Sequence, residues 1–120
     1  MIDLLIVDGA NVVGSRPDGW WRDRAGAARR LRDSLAASLE ALDAREVVLV
    51  VEGAARGVES TDGVRVVSAK GSGDDAIVDL VREEGQGRQV VVVTADRGLR
   101  ERVTSLGASV KGPRSIQTPG

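Results

Sequence analysis

Apolar and polar residues fall into short blocks along this chain, and the blocks carry two different periods. Ile2 to Val7 is an apolar run that stops at Asp8-Gly9, which predicts a buried strand followed by a turn. Residues 9–21 contain Gly and Pro and read as a loop. From Arg22 onward Ala25, Ala28, Leu31, Leu35, Leu39 and Leu42 recur every three or four positions, with Arg, Asp and Glu between them. That spacing predicts one long amphipathic helix. Glu46 to Val51 is nearly all β-branched, as expected of a strand buried on both faces, and it stops at Glu52-Gly53. Val64 to Val67 predicts a third strand. Lys70 to Gly73 then turns the chain into a helix of about ten residues, with Ile77, Leu80 and Val81 facing inward and Gly85 and Gly87 ending it. Gln89 to Val93 is a fourth strand, Arg97 to Leu106 a helix with Leu99, Val103 and Leu106 at helical spacing, and Ala108 to Val110 a short fifth strand. The segment after Gly112 is polar, contains Pro113 and Pro119, and is expected to be poorly ordered.

Strands alternating with helices predict an α/β fold: a three-layer sandwich, Rossmann-like, with a mostly parallel central sheet of about five strands. At 120 residues there is room for one core, so we expect one domain over 1–112 and a flexible tail over 113–120. In such sheets function gathers beyond the carboxyl ends of the strands, where the strand order reverses.

Composition narrows the chemistry that edge can perform. Lys plus Arg number 17 against 18 for Asp plus Glu, so no bulk charge draws nucleic acid and any such contact must be local. Cys is absent, which removes disulfides, thiolate nucleophiles and thiolate zinc sites and fits a reducing cytoplasm. His is absent too, which excludes a Ser-His-Asp triad, imidazole bases and His-ligated metals. Hydrolysis would have to run on carboxylates. The opening MIDLLIV lacks a basic stretch and reads as a strand rather than a signal peptide, and no segment is apolar for long enough to span a bilayer.

The carboxylates follow the strands. Asp8 follows the first, Glu52 the second, Asp74 and Asp75 open the helix after the third, and Asp96 lies just past the fourth. Like charges crowded on one rim raise one another's pKa and cost stability unless a cation offsets them. Oxygen donors without His or Cys select Mg²⁺ or Mn²⁺ over zinc and leave the ion open to a phosphate. Each residue also has an ordinary structural explanation: Asp8 as a turn residue, Asp74 and Asp96 as helix caps, Glu52 as a solvated strand end. Capping accounts for each singly, not for why four strand ends share one acidic rim.

Around this rim stand further candidates. Asn11, three residues past Asp8, is placed to bond a metal's water shell or a phosphate, or to form an Asx-turn. Thr94 is placed to orient a water or phosphate, and Arg97 to pair with a phosphate or to lie on the surface. Between Gly14 and Asp33 there are six Arg and three Asp. Of these Arg16, Arg22 and Arg24 are expected to track a phosphate backbone, whereas Arg29, Arg30 and Arg32 read as the exposed helix face. Trp20 and Trp21 are the only aromatics; Trp20 is the stacking candidate for an unpaired base, against the alternative of a Trp that covers the underside of its loop.

The segments IVDGANVVGSRPDGWWRDR, VVLVVEG, GSGDDAIVDLV and VVVVTADRGLRERVTSLGA resemble the NYN branch of the PIN-like nucleases, and most of all its bacterial YacP-like members. The likeness runs over about residues 2 to 112, and its specific parts are D-G-x-N at Asp8 to Asn11 and T-A-D-R at Thr94 to Arg97. It implies a Mg²⁺- or Mn²⁺-dependent RNA endonuclease, with Asp8, Asp74 and Asp96 as the metal-binding set and Asn11 in support. The position after the second strand, usually Asp in relatives, is Glu52 here. The chain is also shorter than many YacP-like proteins, so elements that dock a larger partner are expected to be missing. The mechanism implied is metal-assisted hydrolysis of phosphodiester bonds in single-stranded RNA. Expected partners are RNA and, beyond it, a ribosome or another protein, with the chain itself a monomer or weak homodimer.

Rival readings rest on fewer residues. GSGDDA matches a G-x-G-x-x-A dinucleotide fingerprint, but after the third strand, and its two Asp would repel pyrophosphate. A phosphotransfer domain with Asp8 as nucleophile, haloacid-dehalogenase-like or receiver-like, lacks the second Asp two residues on, where Ala10 stands. A catalytically inactive PIN-like module that binds RNA or protein is the remaining alternative.

Overall fold

The computed structural model describes residues 1–16 and 19–116. Strand β1 (Ile2–Asp8) runs directly into helix α1 (Gly9–Gly14), followed by a 3₁₀ turn at Trp20–Arg22, helices α2 (Arg24–Ala37) and α3 (Leu39–Leu42), and β2 (Ala44–Val51). A second 3₁₀ turn at Gly53–Ala55 leads to β3 (Val64–Ser68), α4 (Gly73–Glu84), β4 (Val90–Val93), α5 (Arg97–Thr104) and β5 (Ser109–Lys111), and a last 3₁₀ turn covers Pro113–Ile116.

The sheet order is β3-β2-β1-β4-β5, and every neighbouring pair is parallel. β1 is central, with Leu5 level with Val47 on one side and Val91 on the other. Because side chains alternate along a strand, β1 feeds two cores. Leu5 and Val7 join Val12, Leu31 and Leu35 beneath α1 and α2, while Leu4 and Ile6 join Ile77, Val81, Leu99 and Val103 beneath α4 and α5. Leu31 and Ile77 are fully buried, and each such side chain contributes about 1.5–3 kcal/mol by leaving water. This is the expected three-layer sandwich, with all its strand pairs parallel. The chain winds outward from β1 first to β2 and β3, then to β4 and β5, so the crevice opens between the carboxyl ends of β1 and β4.

The structure corrects four details. The loop expected over 9–21 begins as α1, with Asp8 as its cap; at six residues it is too short to show a helical period. Gly9 lets it start there, since a Cβ would stand 2.5 Å from the Val50 carbonyl oxygen. Pro17 and Asp18 lie outside the described residues. The single long helix breaks at Ser38, and Asp43 closes α3 in the left-handed region, φ 51°. The break turns Leu39 onto Gly63, where a Cβ would press on the Leu39 methyl groups. Helix α5 stops at Thr104 and leaves Leu106 42% exposed. Gly107, φ 94°, reverses the chain so that the Ala108 N–H bonds the Val103 carbonyl. Finally, the tail expected from residue 113 folds through Ile116, which is 6% exposed and packs into the α2-side core; residues 117–120 lie outside the described set.

Candidate active site

Asp8 ends β1 at the crevice, 5% exposed. Its Oδ1 accepts the Asn11 N–H of α1 at 3.4 Å and its Oδ2 accepts the Thr94 hydroxyl at 2.9 Å. Thr94 in turn accepts the Asp96 N–H at 3.1 Å, and Asp96 Oδ1 caps α5 by accepting the Leu99 N–H at 2.9 Å. Asn11 Oδ1 accepts the Ala95 N–H at 2.8 Å. The loops after β1 and β4 are thus tied at two places. On the other side Glu52 Oε2 accepts the Gly73 N–H, fastening the end of β2 to the start of α4.

The electrostatics link these carboxylates. Burial pushes the Asp8 carboxyl up to about 6; the bonds from Thr94 and Asn11 pull it down, and Asp74 and Glu52 push it up further. Asp74 is raised by burial, then by Asp96 and Glu52, with Arg102 opposing and Asp75 adding. Among the described residues no cation pairs with Asp8, Glu52, Asp74 or Asp96. Asp75 is different: it is exposed and pairs with Arg102 at 3.0 Å. Asp74 is not the cap of its helix, because Ser72 accepts the Asp75 N–H.

These residues meet one requirement of a hard divalent ion and, as placed, miss another. Among the described residues, no group of three acidic side chains stands close enough to hold an ion. The donor chemistry does fit: all donors are oxygens, and a buried carboxylate sits beside like charges with no cation. Asp96 is exposed and Asp74 half-buried, so neither is enclosed as Asp8 is.

Substrate-facing candidates divide. Trp20, Arg24 and Glu52 line one cavity of about 350 Å³ that starts at Gly9 and Ala10, immediately beyond Asp8. The Arg24 guanidinium lies 5.4 Å from the centre of the Trp20 ring. Trp21 is exposed, edge-on to Trp20 at 6.0 Å, and Arg22 rests 6.0 Å from its ring. Arg16 is half-buried two residues past α1, and Arg97 is exposed as the first residue of α5. Thr94 does not face substrate: at 2% exposure its hydroxyl is occupied between Asp8 and Asp96. It positions the two carboxylates. Arg102 was not singled out by the sequence; its only signal is its place on the helix that packs beside α4.

Comparison with known proteins bears on the family and the fold. The sequence matches the family model of the YacP-like NYN domain over residues 5–118. No curated protein sequence matches it. In structure it is similar to Rae1 (YacP) from Bacillus subtilis, with a TM-score of 0.76, 24% identity, and 96% of this chain and 71% of that one covered. A point mutant of Rae1 gives a TM-score of 0.78 at 21% identity, covering 96% and 72%. A mutant T5 5'-exonuclease aligns with a TM-score of 0.63 at 17% identity, covering 98% of this chain and 52% of that one. A T5 protein co-crystallised with metal ions gives 0.63 at 14%, covering 96% and 56%.

Proposed function

This chain belongs to the YacP-like NYN domain family, with the PIN-like nuclease fold, and on that premise we propose that it is a metal-dependent endoribonuclease acting on single-stranded RNA. The observation that carries the proposal is the coupled set of unpaired carboxylates at the crevice, Asp8, Asp74 and Asp96. Co-crystallisation of a T5 relative in fold with metal ions supports it.

In this reading Asp8, Asp74 and Asp96 hold a Mg²⁺ or Mn²⁺ ion, with Glu52 beside them. When bound, such an ion supplies an acidified water and positive charge against the charge building on the phosphorus oxygens. Thr94 fixes the Asp8 carboxylate, and Asn11 fixes the β4 loop through Ala95, so the acidic groups are aimed before substrate arrives. In this reading Arg16, Arg22 and Arg97 take the flanking phosphates, and Arg24, which lines the cavity beside Asp8, meets the nucleotide there. With no His in the chain, proton removal from a ribose 2′-hydroxyl by imidazole is not available.

A Mn²⁺-supplemented cleavage assay on a pool of single-stranded transcripts tests this. Cleavage that stops with chelator and with Asp96→Asn, in a variant that still folds, is the expected result. RNA that binds and stays intact under every divalent ion would instead favour the non-catalytic RNA-binding module.

A further inference from the structure

Beside the acidic rim lies a cavity that shares only Glu52 with the carboxylates of the proposed site. It opens at Gly9 and Glu52 and is walled by apolar Val13, Ala28 and Val51, with Trp20 and Arg24 along one side. At about 350 Å³ it is at the small end of ligand sites, large enough for a single flat ring system and too small for a folded partner's side-chain cluster. Its two largest lining groups, an indole and a guanidinium, are the two kinds of planar surface on which proteins stack nucleobases. Trp20 is partly buried and packs against the core. Glu52 is held on the wall by the Gly73 N–H, leaving its other oxygen to accept from a base amino group.

The net charge of -1 gives the protein no general hold on RNA, so a productive complex needs local anchors next to the reacting phosphate. A cavity wall that begins one residue from Asp8 supplies one. We propose that this cavity receives one unpaired nucleobase of the RNA against Trp20, with Arg24, which lies over the same ring, at the edge of the base, and so sets which phosphodiester lies over the carboxylates. The inference rests on the ribonuclease reading above and names how that same site selects its substrate.

The test reads binding, apart from cleavage. In Trp21→Phe, Trp20 is the only fluorophore, since the chain has two Trp and no Tyr. Titration in chelator with a short single-stranded oligoadenylate is compared with an abasic ribose-phosphate oligomer of equal length. The expected result is quenching of Trp20 by oligoadenylate and an affinity about 5- to 150-fold lower for the abasic oligomer, the worth of one stacked base. A second variant, Gly71→Leu, puts bulk at the cavity edge from a position where a Cβ meets nothing within 4 Å. It is expected to keep the thermal unfolding of the parent and lose oligoadenylate affinity by a similar factor. Equal binding of the abasic oligomer, or undiminished oligoadenylate binding and quenching in folded Gly71→Leu, overturns the inference. Stacking without Mn²⁺-dependent cleavage overturns only the enzymatic reading, and cleavage without stacking overturns only this one.

Discussion

Replacing Asp8 with asparagine should make the metal-free protein more stable while removing its activity, and the size of the effect follows from the site. Asp8 has its folded-state pKa raised from 3.8 to about 6, chiefly by burial. At about 1.4 kcal/mol per tenfold change, holding that charge in place costs about 3 kcal/mol at neutral pH. Between the two pKa values the native protein keeps a proton that the unfolded chain has released, so stability falls as pH rises through roughly 4 to 6 and levels off above. The substituted amide carries no charge at any pH. Its oxygen still accepts from Thr94, while the long Asn11 bond at 3.4 Å is lost, at about 0.5–1 kcal/mol. The net gain above pH 7 is about 2 kcal/mol, or about 8 °C in Tm for a domain this size. Circular dichroism melts in EDTA across pH 4 to 8 read this directly. The wild-type and Asp8→Asn curves should cross between about pH 4 and 5. A variant melting no higher than wild type at pH 7.5, or a gap that stays constant down to pH 4, would show that the buried charge is not what destabilises the site.

Mn²⁺ at a hundred times its Kd should raise wild-type stability by about 2.7 kcal/mol and leave Asp8→Asn unmoved, reversing their order in a thermal shift assay. Asp96→Asn keeps the α5 cap, since Asn caps as well as Asp, so its Tm should stay near wild type; its cleavage rate should fall by more than the about 10- to 100-fold that loss of an outer-shell partner brings. Thr94→Val strips Asp8 of its hydroxyl donor and orphans the Asp96 N–H, lowering stability in urea by about 2–4 kcal/mol, whereas Thr94→Ser should restore both stability and rate. Arg102→Ala removes the cation that opposes metal near Asp74. Calorimetric Mn²⁺ affinity should rise about two- to fivefold, with little change in stability because the Asp75 pair is exposed; weaker binding would contradict the assigned charges.

The strands were legible because each is a block of β-branched residues bounded by Gly or a charge, as in EVVLVV before Glu52-Gly53. What was hidden depended on tertiary neighbours. Helix α1 has only six residues, and the break at Ser38, beside which Leu39 packs on Gly63, has no Gly or Pro to announce it in the sequence. The acidic rim was legible from strand ends alone, since a parallel sheet puts every carboxyl end on one edge. The fate of each carboxylate was not. Asp75 differs from Asp74 by one position, yet one faces Arg102 and the other the rim, and spacing within a helix cannot say which neighbour the next helix brings.

Capping and metal binding, opposed as explanations when each Asp is taken alone, are compatible in this structure because a carboxylate has two oxygens. Asp96 spends Oδ1 on the Leu99 N–H, and that bond does not use Oδ2. Asp8 uses both, but one bond is 3.4 Å long, and the other comes from a hydroxyl that is itself anchored by accepting the Asp96 N–H. The helix starts at α1 and α5 favour negative charge on the residues that cap them. Two of the acidic groups are therefore held by the same contacts that begin two helices, while α4 is capped by Ser72 and Asp74 is not spent on a cap. The contacts that start these two helices thus also set two of the proposed ligands as the chain folds, so a cap and a ligand need not be different residues.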